Sequence, residues 1–225
     1  MARPVISDEL WRRIEPLLPR PKVRNRHRQC VGRAPADSKQ ALAGIIFALR
    51  TGIPWEHVPA TEQWPSGYTC LRRLKVWHRR GVFRRLLVSI LSELSQRDRL
   101  SWRRAIVDSA SVRAPHGGRA AGPNPTDRRK TGTKHHVLVE AHGIPLVVTM
   151  TGANRHDVTE LLRLVDSIPK VQGKRGRPRS RPEFVQGDRA YDSQPHREAL
   201  AKRGAKVSSP SVGRRTAQNS DVIAG

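Results

Sequence analysis

The chain has 225 residues, with 43 lysines and arginines against 19 aspartates and glutamates, and its formal net charge is +24. This length can bury one core, or one core beside a small helical domain, and the charge predicts a polyanionic partner rather than a small neutral metabolite. No segment approaches the roughly 18 apolar residues that span a bilayer, and the N-terminus has no signal-peptide apolar region.

Residues 1–98 are predicted to form a helical, DNA-binding domain. Apolar residues recur there at helical spacing, and capping residues precede two of the periodic segments. Helices are predicted to start at Ser7 and at Asp37 or Ser38, and to cover residues 68–80 and 82–96. Residues 20–33 are basic with almost no apolar content, so we expect a loop or arm there. Cys30 and Cys70 have no metal-ligand spacing, which favours a reducing cytoplasm.

The third predicted helix is basic on one side. Leu71, Leu74 and Trp77 would point inward, which leaves cationic side chains on the outer face. The candidate DNA contacts on this helix are Arg72, Arg73, Lys75 and Arg79. A helix-turn-helix recognition helix has this character. A solvated basic face of an ordinary amphipathic helix is the alternative.

Residues 99–207 change to a β-rich pattern. Strands are predicted at residues 104–108, 134–140, 145–151 and 184–188, with a weak one at 205–207. The second and third strands would form a hairpin, Asp157 would cap a helix, and another helix would cover 193–203. The fold class is therefore α+β. From residue 208 to 225 the apolar periodicity disappears, and we expect this tail to be disordered or loosely docked.

Two of these apolar runs end in a lone aspartate, Asp108 and Asp188. Carboxylates at the ends of buried strands suit Mg²⁺ or Mn²⁺, and in a basic chain they suggest metal-assisted chemistry on a nucleic-acid phosphate. They are our candidate catalytic and metal-binding residues. The alternatives are a turn former at Asp108 and a helix cap at Asp188.

A basic stretch leads into the second predicted strand and would lie near the edge of this site. Its candidate contacts to the DNA backbone are Arg128, Arg129, Lys130 and Lys134. A solvated basic loop is the alternative. Residues 176–179 (GRPR) would either reach into a DNA minor groove or form a flexible basic linker.

These residues carry a resemblance to the IS5-type insertion-sequence transposases of the IS4/IS5 DDE group. The similar stretches are 10–19 (LWRRIEPLLP), 46–52 (IFALRTG), 106–109 (IVDS), 130–136 (KTGTKHH), 146–157 (LVVTMTGANRHD) and 187–192 (GDRAYD). The resemblance implies an RNase H-like catalytic core with a mixed sheet, Mg²⁺ dependence, and strand cleavage and transfer at terminal inverted repeats. It also implies that Asp108 and Asp188 are the first two of three acidic residues.

The third acidic residue of that family, a glutamate on a late helix, has no counterpart here. The chain therefore resembles a transposase truncated, or shifted out of frame, before its last helix. Three interpretations stay open: a transposase that is possibly inactive, a non-catalytic DNA-binding repressor from the same element, and a stand-alone Mg²⁺ nuclease. We expect double-stranded DNA as partner, no membrane association and a bacterial cytoplasmic, nucleoid-associated protein, with a homodimer on DNA left open.

Overall fold

The computed structural model describes residues 5–19, 35–191 and 193–208. The chain divides into two compact units, residues 1–90 and 91–225. The predicted basic arm at 20–33 and the tail after residue 208 lie outside the described residues. Across the described ranges, no helix has the length and apolar character needed to cross a membrane.

The first unit is built from helices, as the apolar periodicity predicts. They are α1 (Asp8–Ile14), followed by a 3₁₀ turn (Glu15–Leu17), α2 (Ser38–Thr51), a 3₁₀ turn (Trp55–His57), α3 (Gly67–Arg79) and α4 (Val82–Gln96), which continues into the second unit. Ser7 and Asp37 cap α1 and α2, accepting hydrogen bonds from the backbone N–H of Leu10 at 3.2 Å and of Gln40 at 2.9 Å. Both predicted caps are confirmed.

The core of this unit lies where α2 and α3 meet closely. A Cβ at Gly44 would lie 2.5 Å from Cys70 Sγ, so the absence of a side chain at residue 44 permits the approach. Trp77 is buried, as predicted, and Leu74 packs partly buried beside it. Leu71 is only partly buried, and the neighbouring Cys70 occupies the fully buried position.

The described part of the second unit contains six strands and two further helices. They are β1 (Arg104–Arg113), β2 (Gly122–Pro123), β3 (Thr131–Glu140), β4 (Pro145–Gly152), α5 (Val158–Ser167), β5 (Phe184–Gln186), a 3₁₀ turn (Arg189–Tyr191), α6 (Gln194–Lys202) and β6 (Lys206–Ser208). The hairpin predicted between the second and third runs is confirmed as the β3–β4 pair.

The sheet is mixed. Its order is β2-β3-β1-β5-β6, with β4 also paired to β3. β3 is antiparallel to β1 and β4, whereas β5 is parallel to both β1 and β6. Apart from the two-residue β2, the order is therefore β4-β3-β1-β5-β6, three antiparallel strands followed by two parallel ones. This is the RNase H-like arrangement that the resemblance implies.

The first strand is longer than predicted. The polar residues after Asp108 suggested that the strand ends there, but β1 continues to Arg113 because β3 pairs with it as far as Gly132. The parallel partner stops sooner, with Gln186 opposite Ile106. Asp108 therefore does not end a strand. It lies in the middle of β1, just beyond the last residue that pairs with β5.

Candidate active site

Asp108 and Asp188 come together because their strands are paired in register. Ile106 lies opposite Gln186, and each aspartate is two residues farther along its own chain segment. Asp188 lies just beyond the end of β5, both aspartates are exposed, and the charges of both act on the same Tyr191 side chain. The structure therefore brings the two predicted catalytic residues to one edge of the parallel part of the sheet.

A close contact below Asp188 keeps its backbone near β1. A Cβ placed on Gly187 would lie 2.8 Å from Val107 Cγ1 and 3.0 Å from Tyr191 Cβ. Both distances are too short for a larger residue without movement of the core. The glycine before Asp188 thus allows the turn to pass directly over β1.

Each carboxylate is held locally through one oxygen. Asp108 Oδ1 accepts a hydrogen bond from Ser109 N–H at 2.7 Å, and Asp188 Oδ1 accepts one from Ala190 N–H at 3.0 Å. Asp188 therefore caps the short 3₁₀ turn rather than α6, whose cap residue is Ser193.

The donor chemistry of the pair fits a divalent cation. Within the described ranges, neither aspartate forms an ion pair with a cationic side chain, and the second oxygen of each has no hydrogen-bond partner. Carboxylate oxygens are the ligands that Mg²⁺ prefers. No group of three or more His, Cys, Asp or Glu side chains suited to a metal occurs among the described residues.

Asp157 has a different role from the one predicted. Its carboxylate makes no capping hydrogen bond to α5. Instead Asp157 Oδ1 accepts a hydrogen bond from Ser109 Oγ at 2.8 Å and lies 3.0 Å from Lys134 Nζ. The backbone of Asp157 is already helical, with φ −60° and ψ −40°.

This contact changes the interpretation of Lys134. The side chain of Lys134 is only 14% exposed, because it pairs with Asp157 and also donates a hydrogen bond to the Arg155 carbonyl at 2.8 Å. A cation held in this way has little freedom to follow a DNA backbone. We therefore assign Lys134 to the support of the site.

Two buried polar residues complete this support. His136 Nε2 lies 2.9 Å from Thr151 Oγ1, and His136 Nδ1 lies 3.7 Å from Asp157 Oδ1. Burial lowers the pKa of His136, and the charge of Asp157 only partly opposes that effect. His136 is therefore neutral near neutral pH.

The pKa of Tyr191 depends on the charges of the candidate site. Burial, followed by the charges of Asp157, Asp108 and Asp188, raises the pKa of Tyr191 to about 12, while the nearby Ser109 hydroxyl opposes the shift in part. Its hydroxyl has no hydrogen-bond partner within the described part of the chain. The charges of three carboxylates thus act on one buried phenol. The sequence indicated Tyr191 only as a member of the GDRAYD motif, without a role.

The basic residues of α3 separate into two kinds. Arg72, Lys75 and Arg79 line an open groove together with Tyr68. Arg73 differs, because it is half-buried and donates a hydrogen bond to the Ala36 carbonyl at 3.0 Å. The prediction treated Arg73 like its neighbours, whereas its guanidinium supports the fold of the first unit.

The basic stretch before β3 forms a tight turn. Arg128 and Arg129 adopt left-handed backbone conformations, with φ of 48° and 59°, that non-glycine residues rarely occupy. The buried Asn124 maintains the turn: its carbonyl accepts a hydrogen bond from Arg129 N–H at 2.9 Å. Arg128, Arg129 and Lys130 are exposed.

Two family descriptions match the chain. The family described as "Transposase DDE domain" matches residues 102–220, and "Putative transposase of IS4/5 family" matches residues 6–87. The first covers more than half of the chain. The protein therefore belongs to the DDE transposases of insertion sequences, as the strand order and the aspartate pair indicate.

Two similar proteins from Burkholderia cepacia both come from the insertion element IS402. An uncharacterized 16.2 kDa protein of insertion element IS402 is 46% identical over 125 residues, which are 56% of this chain and 84% of the relative. The putative transposase for insertion sequence element IS402 is 51% identical over 109 residues, 48% of this chain and 50% of the relative. The similarity thus spans about half the length of that transposase.

Solved structures show weaker likeness. The match to the HTLV-2 integrase catalytic core domain covers 49% of this chain and 61% of the integrase chain, with 14% sequence identity and a TM-score of 0.31. The match to the transposase chain of the Mos1 paired-end complex covers 80% of this chain and 61% of the Mos1 chain, with 13% sequence identity and a TM-score of 0.29. At these scores, the fold assignment rests on the strand order and on the family match.

Proposed function

We propose that this protein is the transposase of an insertion sequence, which binds the terminal inverted repeats and catalyses strand cleavage and transfer. The observation that carries the proposal is the register of β1 and β5, which brings Asp108 and Asp188 to one edge of the sheet. The net charge of +24 supports a nucleic-acid substrate. The similarity to a putative IS402 transposase supports the same class of reaction.

Asp108 and Asp188 would hold Mg²⁺ or Mn²⁺. A divalent ion bound there would activate an attacking oxygen and stabilise a leaving oxygen at phosphorus. The protein supplies the geometry. Gly187 keeps the two chain segments close, and Asp157 positions Ser109, the residue that follows Asp108. Tyr191 contributes a neutral, buried wall that adds no charge to the carboxylates.

The DNA contacts would come from exposed cations. On α3 these are Arg72, Lys75 and Arg79, and on the turn before β3 they are Arg128, Arg129 and Lys130. Arg73 and Lys134 are left out of the proposed contact set because each is partly buried and held by a residue of another chain segment, whereas Arg79 is exposed and donates only to its own helix.

Single substitutions at the aspartate pair test the catalytic proposal. Asp108→Asn and Asp188→Asn each remove a negative charge without changing the side-chain volume. With cognate element ends and Mg²⁺, we expect cleavage to fall by at least about a hundredfold while end binding stays within about twofold. Glu183→Gln, which removes a negative charge from an exposed side chain outside the site, is the control. Cleavage retained in both site variants would overturn the catalytic role of the pair.

One observation favours a second candidate, a non-catalytic DNA-binding repressor from the same kind of element. Among the described residues, no His, Cys, Asp or Glu side chain completes a three-membered metal-ligand group with Asp108 and Asp188, and the nearby Asp157 is paired with Ser109 and Lys134 instead. A repressor would bind the same ends without cutting them. End binding by the wild-type protein with no Mg²⁺-dependent or Mn²⁺-dependent cleavage would favour the repressor over the transposase.

A further inference from the structure

We propose that residues 171–179, called the basic loop below, form with Trp102 a binding site for the phosphodiester backbone of DNA. The site is distinct from α3 and from the aspartate pair. The inference rests on the proposed function only in taking DNA as the partner, and it adds a sequence-independent contact within the second unit.

The basic loop is folded rather than a linker. Val171 and Arg179 exchange two backbone hydrogen bonds of 2.8 and 2.9 Å, which close the loop at its base. Gln172 N–H donates a hydrogen bond to Ser92 Oγ at 3.1 Å, and the Gln172 side-chain amide donates to the Gly173 carbonyl at 3.3 Å. The backbone that carries the cations is therefore ordered before a ligand arrives, which lowers the entropic cost of binding.

The loop surrounds a polar cavity with positive charge. The cavity has a volume of about 210 Å³, and its cationic lining residues are Lys174, Arg175, Arg177 and Arg179. One carboxylate, Asp98, also lines it and is paired with Lys174. In the part of the chain that the structure describes, the three arginine side chains have no ion-pair partner. Their mutual repulsion is relieved most directly by an anion.

Trp102 provides a second observation at the same place. It lines the cavity and is 6% exposed, yet its Nε1–H has no acceptor among the described residues. Buried indole N–H groups normally find a partner. Nε1 is shielded from solvent in the unbound chain, so a small movement of the indole or the loop on binding would bring an anionic oxygen in the cavity to it as an acceptor.

The chemistry of the site favours a phosphodiester. Guanidinium groups match the paired oxygens of a phosphate, and cations spaced along a loop suit a repeating backbone better than one small anion. Phosphate contacts position a protein on DNA and carry no sequence information. We therefore expect this site to strengthen binding equally to cognate and non-cognate duplexes.

The test measures duplex binding in the Asp108→Asn background, so that cleavage does not interfere. The loop variant carries Arg175→Ala, Arg177→Ala and Arg179→Ala. The matched control carries Arg119→Ala, Lys170→Ala and Lys202→Ala, which remove the same charge from exposed positions of the same unit.

We expect the loop variant to lose at least about tenfold in affinity for both cognate and scrambled duplexes, and the control less than about threefold. The slope of log affinity against log salt should become shallower by about 0.9 for each phosphate that the loop variant no longer neutralises.

A second variant addresses the indole. Trp102→Phe keeps an aromatic ring in place and removes the N–H donor. We expect a weaker affinity for both duplexes and a smaller change of tryptophan fluorescence on DNA binding, with unchanged circular dichroism. Millimolar inorganic phosphate or a mononucleotide should not displace the duplex. Displacement by the mononucleotide would identify a nucleotide pocket and overturn the proposal.

Failure of this inference is distinguishable from failure of the proposed function. If the wild-type protein binds DNA and the loop variant binds as tightly as the control, the inference is wrong and the proposed function stands. A loss confined to the cognate duplex would also contradict it, because a backbone contact cannot read sequence. If the wild-type protein binds neither duplex, DNA is not the partner and both proposals fail.

Discussion

Ser109 donates a hydrogen bond of 2.8 Å to Asp157 Oδ1, although the two residues lie 48 positions apart in the chain. Ser109 directly follows Asp108 on β1, and Asp157 precedes α5. The contact thus links the helix to the strand that carries one of the two candidate metal ligands. Lys134 on β3 joins the same carboxylate, so three chain segments meet at Asp157.

Removing this link is expected to weaken the second unit. Asp157→Ala leaves Ser109 Oγ without its acceptor and removes the anion beside Lys134, which we expect to cost about 1–3 kcal/mol in unfolding free energy. Asp157→Asn keeps an oxygen acceptor and should cost less. Urea denaturation measures both, and equal stability of wild type and Asp157→Ala would contradict the role given to Asp157.

Gly187→Ala is expected to disturb the contact below Asp188. The added Cβ would lie 2.8 Å from Val107 Cγ1, and overpacking of this kind costs about 1–3 kcal/mol. Gly173→Ala is the matched control, because its Cβ would lie at an ordinary 3.5 Å from Ser95 Oγ. The expected outcome is a lower denaturation midpoint and weaker Mg²⁺ binding by calorimetry for Gly187→Ala alone. A stable Gly187→Ala protein would show that the turn can move.

Glu140 is expected to make the free energy of unfolding vary with pH in the acidic range. Burial would raise the pKa of Glu140, but hydrogen bonds from His142, Ile144 and Ser101 outweigh it and hold the pKa below its ordinary value of 4.5. A lowered pKa stabilises the fold above the unfolded-state value, and this contribution is lost as pH falls through the folded-state value. Wild type should therefore exceed Glu140→Gln in unfolding free energy near neutral pH.

That advantage should shrink below about pH 4.5, the ordinary value for this side chain. Denaturation curves at several pH values measure the difference. Glu198→Gln is the control, because Glu198 is exposed and its carboxylate accepts from Gln194 on its own helix. A difference between wild type and Glu140→Gln that does not vary with pH would be inconsistent with the hydrogen-bonded carboxylate.

Tyr191→Phe is expected to show how ionisation of the buried hydroxyl affects the free energy of unfolding, because the aromatic ring stays in place. The buried hydroxyl has no partner among the described residues, so its removal should change the unfolding free energy by less than about 1 kcal/mol near neutral pH. The pKa of Tyr191 rises from 10.0 to about 12 in the fold. Since the raised pKa favours the fold only while the phenol is neutral, wild type should lose stability relative to Tyr191→Phe as pH rises from about 10 to about 12. A difference in unfolding free energy between the two proteins that stays constant over that pH range would contradict the raised pKa of Tyr191.

Adjacent arginines on α3 are expected to behave differently. Arg72→Ala should weaken DNA binding several-fold and leave stability nearly unchanged, because Arg72 lines the open groove. Arg73→Ala should cost about 1 kcal/mol of stability, because the Ala36 carbonyl loses its donor, with little effect on binding. Fluorescence anisotropy and urea denaturation together distinguish the two, and the reverse pattern would show that Arg73 is the DNA contact.

The helices were predictable because their signals are local. Ser7 and Asp37 cap helices through hydrogen bonds three residues away, so the sequence carries the information for both boundaries. The inward side of α3 was less predictable. Leu71 is the more apolar residue, yet Cys70 is fully buried because Gly44 of α2 approaches it, and that approach is a property of two packed helices.

The sequence by itself determined the class of fold, the charge that favours DNA, and the identity of Asp108 and Asp188 as the candidate pair. Only the tertiary structure placed Asp108 inside a longer strand, because β3 supplies the hydrogen bonds that extend β1. Only the tertiary structure joined Asp157 to Ser109 as well. Local periodicity reports which residues form a strand or a helix, whereas partners 48 positions apart are chosen by packing of the whole unit.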